Sequence, residues 1–85
     1  MTYEVVWTPD AERDLTAIWL VAADRQAVTT ASHRIEQELG RSPLTFGKPR
    51  TSGVNRVAVV APLGVTFEVI EDDKRVFVQS AFKVP

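Results

Sequence analysis

The chain has 85 residues, enough for one domain core and too few for two, so residues 1–85 are expected to form a single domain. Its hydrophobic fraction of 45% and charged fraction of 25% are those of a folded soluble protein. The absence of cysteine excludes disulfides and thiolate metal sites.

No apolar run reaches the length of a membrane span. Met1–Trp7 carries Glu4 and lacks the basic and apolar regions of a signal peptide, so the cytoplasm is the expected compartment. The net charge of −1 conceals an uneven distribution. Residues 1–40 hold three Arg and seven acids, a balance of −4; residues 41–56 hold Arg41, Lys48, Arg50 and Arg56 with no acid, a balance of +4. Residues 57–85 return to −1, with three bases and four acids. A basic connector of this kind is either a solvated loop or a surface for phosphate or acidic groups.

Tyr3–Trp7 (YEVVW) reads as a first strand. Thr8-Pro9-Asp10 then opens a helix: Thr8 can cap it, Pro9 suits its first position, and Asp10 and Glu12 complement its dipole. Ala11, Leu15, Ile18, Trp19 and Ala22 form one apolar stripe. The segment Ala22–Arg25 breaks the helix, with Asp24 as the next N-cap. A second stripe follows at Val28, Ala31, Ile35 and Leu39, and Gly40 is expected to close it in the left-handed conformation. Two amphipathic helices so closely linked should pack antiparallel.

Residues 41–54, with Pro43, Gly47, Pro49 and Gly53, read as a loop with a short extended piece near Phe46. Three strand-like runs come next: Arg56–Ala61, Val65–Glu71 and Arg75–Val84, separated by Pro62-Leu63-Gly64 and Asp72-Asp73-Lys74 turns. Short turns make them an antiparallel meander. The expected class is therefore α+β: a strand, a helical hairpin and a three-stranded meander, with both helices on one face of the sheet.

Strand alternation assigns Val57, Val59, Ala61, Val65, Phe67, Val69, Val76, Val78, Phe82 and Val84 to the covered face. The opposite parity places Arg56, Glu68, Ile70, Phe77 and Lys83 on the uncovered face, unless a bulge inverts part of the pattern.

No phosphate-binding loop, dinucleotide turn or nucleophile elbow is present. His33, the only histidine, lies off its helix's apolar stripe and reads as a solvated residue, so no metal or other cofactor is expected. The remaining chemistry is cationic. Arg56 and Lys83, with Lys48 and Arg50 in the adjoining loop, could hold a phosphodiester and stabilise charge developing on it. Glu68 could serve as a base, or simply pair with Arg56 across the strands, which is the more economical reading. Trp19 fits a core position or a partner surface, and Trp7 could support a partner surface. Phe77 and Ile70 would form a small outward apolar patch of the kind that marks a protein contact.

This order of elements resembles the RelE/ParE superfamily of toxins from bacterial type II toxin–antitoxin operons. The resemblance lies in TPDAERDL (Thr8–Leu15), in ASHRIEQELGRSP (Ala31–Pro43), and in FGKPRTSGVNRVAVVAPLGVTFEVIEDDKRVFVQSAFKV (Phe46–Val84). It implies that the first strand lies beside the last, and that a cognate antitoxin binds and neutralises the protein. RelE-like members are ribosome-dependent nucleases that cleave mRNA with basic residues of the open sheet face, whereas ParE-like members poison DNA gyrase. Arg56 and Lys83 fall near the nuclease members' basic positions. Gly64, however, occupies the approximate place of a further arginine, and no Tyr or His follows Lys83. The resemblance thus implies a ParE-like or catalytically degenerate toxin before a full mRNA nuclease, with a non-toxic binding module as the remaining alternative. Trp19, Phe77 and Ile70 are the expected antitoxin contacts, and Lys48, Arg50 and Arg56 the expected contacts to target or nucleic acid.

Overall fold

A computed structural model describes residues 2–49 and 55–85. The elements run β1 (Glu4–Trp7), α1 (Pro9–Val21), α2 (Arg25–Arg41), a one-turn helix α3 (Pro43–Phe46), β2 (Lys48–Pro49), β3 (Asn55–Val60), β4 (Leu63–Ile70) and β5 (Arg75–Lys83).

The capping residues work as their chemistry predicts. The Thr8 hydroxyl accepts the Ala11 amide at 3.2 Å and donates to Val78 O at 2.9 Å, fixing the start of α1 to β5. The Asp24 carboxylate accepts the Ala27 amide at 3.1 Å and starts α2. Arg25 closes the hairpin from the other side, donating to the carbonyl of Leu20 (2.9 Å) and to that of Trp19 (3.2 Å), which also accepts the Ala22 amide at 3.3 Å.

Gly40 does not act as a left-handed cap. The helix continues to Arg41, and Gly40 has no positive φ. Its carbonyl instead ties the approach to β1 against the end of α2: the Tyr3 amide donates to Gly40 O at 2.7 Å. Helix α2 stops at Ser42 because a residue preceding proline disfavours helical geometry. The expected loop holds secondary structure over its described part, residues 41–49, while residues 50–54, with Gly53, lie outside the described residues. Phe46 belongs to α3, and the extended piece follows it at Lys48–Pro49.

The sheet order is β1-β5-β4-β3-β2, with β1 parallel to β5 and every other pair antiparallel. Helix α1 lies over β5, and α2 over β3 and β1. Between helices and sheet sit Ala11, Ala31, Ile35, Leu39, Leu63, Val65, Phe67, Val76 and Val78, all essentially without solvent exposure. Truncating Phe67 at this centre would cost about 3–5 kcal/mol.

Two features correct the expected faces. In β3 the parity is inverted: Ala58 is buried and Val60 packs on the core, whereas Val59 is 52% exposed. The two-residue Ala61-Pro62 turn pairs Val60 with Leu63 and so fixes the register. An apolar run such as VAVVA carries no alternation that could have predicted it. In β5 a register shift leaves Gln79 between Val78, opposite Phe67, and Ser80, opposite Thr66. Beyond it Ala81 faces the core, and Phe82 turns to the open face.

Candidate functional site

Arg56 lies on the helix side of the sheet. It sits opposite Phe67 and shares the parity of buried Ala58. Its Nη2 donates to Leu44 O at 2.8 Å and Gly47 O at 3.1 Å, the carbonyls at the end of α3. Its Nε is buried and has no hydrogen-bond partner among the described residues. Lys83 is also turned to the helix side by the register shift, but opposite Leu63, where it lines a groove with Ile18, Ala27 and Pro62. The core row from Leu63 to Phe67 therefore separates the two cations, and they do not converge. Glu68 remains on the open face, opposite Asn55 and Phe77, and accepts a hydrogen bond from Gln79 Nε2 at 3.2 Å. Because Arg56 and Glu68 occupy opposite faces, the expected cross-strand ion pair does not form.

The basic connector is similarly dispersed. Arg41 Nη2 reaches both Glu38 carboxylate oxygens at 2.7 Å. That hydrogen bond holds the Glu38 carboxyl below its ordinary range and raises the Arg41 guanidinium. Lys48 is exposed and stands at the edge of the open face, in one row with Val57, Thr66 and Ser80. Arg50 lies outside the described residues.

The open face is of mixed charge. Arg75 pairs with Glu4 at 3.2 Å, and Lys48 and Glu68 supply one charge of each sign. Thr66 and Ser80 share a hydroxyl–hydroxyl hydrogen bond. Phe77 and Ile70 are half-buried on this face, as their parity predicts. Phe82 joins them, its ring resting on Gly64, where any Cβ would collide with it.

Trp19 is 39% exposed and lies outside the core cluster. The Arg25 guanidinium stacks 4.6 Å from its ring centroid, and its Nε1 donates to Thr29 Oγ1 at 3.2 Å. A cavity of about 220 Å³ opens beside it between the helices, lined by Leu15, Val28 and Ser32. Trp7, by contrast, is half-buried, packs against the core and donates to Glu36 Oε1 at 2.9 Å. Asp14, not singled out by sequence pattern, accepts the Ala81 amide at 3.1 Å. Its place on the polar side of α1 gave no signal of that contact.

His33 is exposed on α2. Among the described residues no three His, Cys, Asp or Glu side chains gather as a metal site, and no helix is long and apolar enough to cross a membrane.

No family model matches the chain, and no curated protein matches it. Solved structures do. A chain of the RelBE2 toxin–antitoxin complex from Mycobacterium tuberculosis superimposes with a TM-score of 0.81 at 20% identity, covering 98% of this chain and 92% of that one. A chain of the chromosomal ParDE toxin–antitoxin system of P. aeruginosa gives 0.74 at 18% identity, covering 99% and 98%. A mutant of the E. coli toxin RelE in the free state gives 0.67 at 20% identity, covering 98% and 84%. The chain has the α+β fold of the RelE/ParE toxins.

Proposed function

We propose that this chain is the toxin of a type II toxin–antitoxin pair, neutralised by a cognate antitoxin, and that it acts by gripping a protein target such as DNA gyrase. The shared fold supports the toxin assignment and the antitoxin partner. The observation that favours protein contact over mRNA cleavage is the fate of Arg56. Its guanidinium is engaged by two main-chain carbonyls on the helix side, and Lys83 lies at the far end of the core row. A nuclease face needs cations aimed at one phosphodiester before and during bond breaking. On the open face Lys48 and Arg75 are offset by Glu68 and Glu4, which suits recognition of a mixed protein surface.

The antitoxin, ordered on binding, would use Trp19 between the helices and Phe77 and Ile70 on the open face, with its acids meeting Lys48 and Arg50. Co-expression with the product of the adjacent open reading frame tests this. The two proteins should co-purify, and induction of the chain alone should arrest growth with intact mRNA and inhibited supercoiling. Mapped mRNA cuts that Lys48→Ala abolishes would replace this reading with ribosome-dependent nuclease activity. Harmless expression and no co-purifying neighbour would leave a non-toxic binding module.

A further inference from the structure

The last two residues of β5 lie on the faces that suit each other's chemistry. Phe82 is half-buried on the open face, whereas Lys83 lines, from the helix side, an apolar groove of about 400 Å³ floored by Ile18, Ala22, Ala27, Val28 and Pro62. The cause is one extra residue, Gln79, between Val78 opposite Phe67 and Ser80 opposite Thr66. Regular pairing would absorb it, setting Gln79 opposite Thr66, Ser80 opposite Val65, Ala81 opposite Gly64 and Phe82 opposite Leu63. Such a slip exchanges the faces of Phe82 and Lys83 and brings the ring to the groove. An apolar cavity of about 150 Å³ already holds benzene, so the groove has room for it.

We propose that the end of β5 is a switch with two registers, the bulged one described above and a slipped one without the bulge. In the slipped register Phe82 gains an apolar surround and Lys83 reaches water from the open face. The ring also leaves Gly64, where it now rests so closely that no Cβ fits. Asp14 serves both registers. Its carboxylate accepts the Ala81 amide at 3.1 Å, and without the bulge the outward amide at that place belongs to Ser80, whose hydroxyl is a further donor. Against the slip stand the Thr66–Ser80 hydroxyl bond and the Val84 amide's bond to Pro62 O at 2.9 Å, which keep the bulged register the major one. The register decides whether the open face offers an aromatic ring or a bare Gly64 beside a cation. Any partner that distinguishes these two surfaces shifts the equilibrium.

Nuclear magnetic resonance relaxation dispersion on the full chain tests this, independently of any toxic activity. The amides of Gln79–Lys83 and of Gly64–Thr66 should exchange with a minor state populated at about 0.1–10%. Gly64→Ala strains only the bulged register, so it should raise the slipped population about fivefold or more. In that variant Phe82 ring protons should show nuclear Overhauser contacts to Ile18 and Val28 methyls, and hydrogen-exchange protection should pass from the Ala81 amide to that of Ser80. Deleting Gln79 removes the residue that the slip absorbs while keeping Phe82 and Lys83 on their present faces, and should quench the exchange. Flat dispersion profiles in the parent overturn the proposal, as does exchange that persists in the deletion variant. A folded Gly64→Ala whose Phe82 ring stays on the open face overturns it too. Should that variant fail to fold, the comparison of parent and deletion decides alone.

Discussion

Arg56 holds α3 against β3, its Nη2 shared between Leu44 O at 2.8 Å and Gly47 O at 3.1 Å. Helix α3 is a single turn, and these two bonds serve carbonyls at its C-terminal end. Charged donors to main-chain carbonyls are among the stronger hydrogen bonds, but part of this gain is offset by the buried Nε, which has no partner among the described residues. Arg56→Ala should therefore destabilise the fold by about 1–2 kcal/mol, seen in urea titration as a lower midpoint at unchanged slope. Arg56→Lys should recover little, since an ammonium cannot span both carbonyls from the guanidinium's position. A variant as stable as the parent would refute this role. Loss of toxicity in Arg56→Ala is thus informative about function only once its folding has been measured.

Asp14 performs the corresponding task at the other side of the sheet. Strand β1 pairs with β5 only as far as Trp7 and Val78, which leaves the next outward amide of β5 uncovered at Ala81. The Asp14 carboxylate accepts it at 3.1 Å from the first half of α1. Asp14→Ala should cost about 1–2 kcal/mol, and Asp14→Asn, which keeps an acceptor, distinctly less. Hydrogen exchange supplies the specific readout: the Ala81 amide should lose protection in Asp14→Ala by more than the global change in stability.

The Glu38–Arg41 pair predicts a pH effect of definite sign. The hydrogen bond from Arg41 lowers the folded-state pKa of Glu38 below its unfolded value. The pair's stabilisation is therefore complete above the ordinary glutamate range and lost as pH falls through the lowered pKa. Thermal melts of the parent should exceed those of Glu38→Gln at pH 7, and the difference should close in acid and shrink in high salt. A difference that grows in acid would contradict the assignment.

The elements were legible because local chemistry dictates them. Thr8 and Asp24 announce helix starts whatever surrounds them, and the spacing of Val28, Ala31, Ile35 and Leu39 admits only a one-sided helix. The site was not, because each of its residues depends on register. Arg56 and Glu68 were expected on one face, yet the Ala61-Pro62 turn sends Arg56 to the other. Likewise the single extra residue at Gln79 exchanges Phe82 and Lys83 between faces. A slip of one residue moves a whole strand's side chains across the sheet, and nothing in VAVVA or VFVQSAF marks where it occurs.

That exchange gives Gly64 a meaning the sequence did not carry. The family resemblance implies a further arginine near its position, but the open face fills it with the Phe82 ring, against which any Cβ would collide. Gly64→Ala should cost about 1–3 kcal/mol through overpacking, while Phe82→Ala alone loses the ring's contacts. The double variant should be less destabilised than the sum of the two, because removing the ring vacates the space the new methyl needs. Gly64→Arg should be worse than Gly64→Ala in the parent and markedly relieved by Phe82→Ala. Strict additivity in either cycle would show that Phe82 does not lie on Gly64. Relief in the second cycle would mean that Phe82, more than the absence of a basic side chain at position 64, determines what this face can bind.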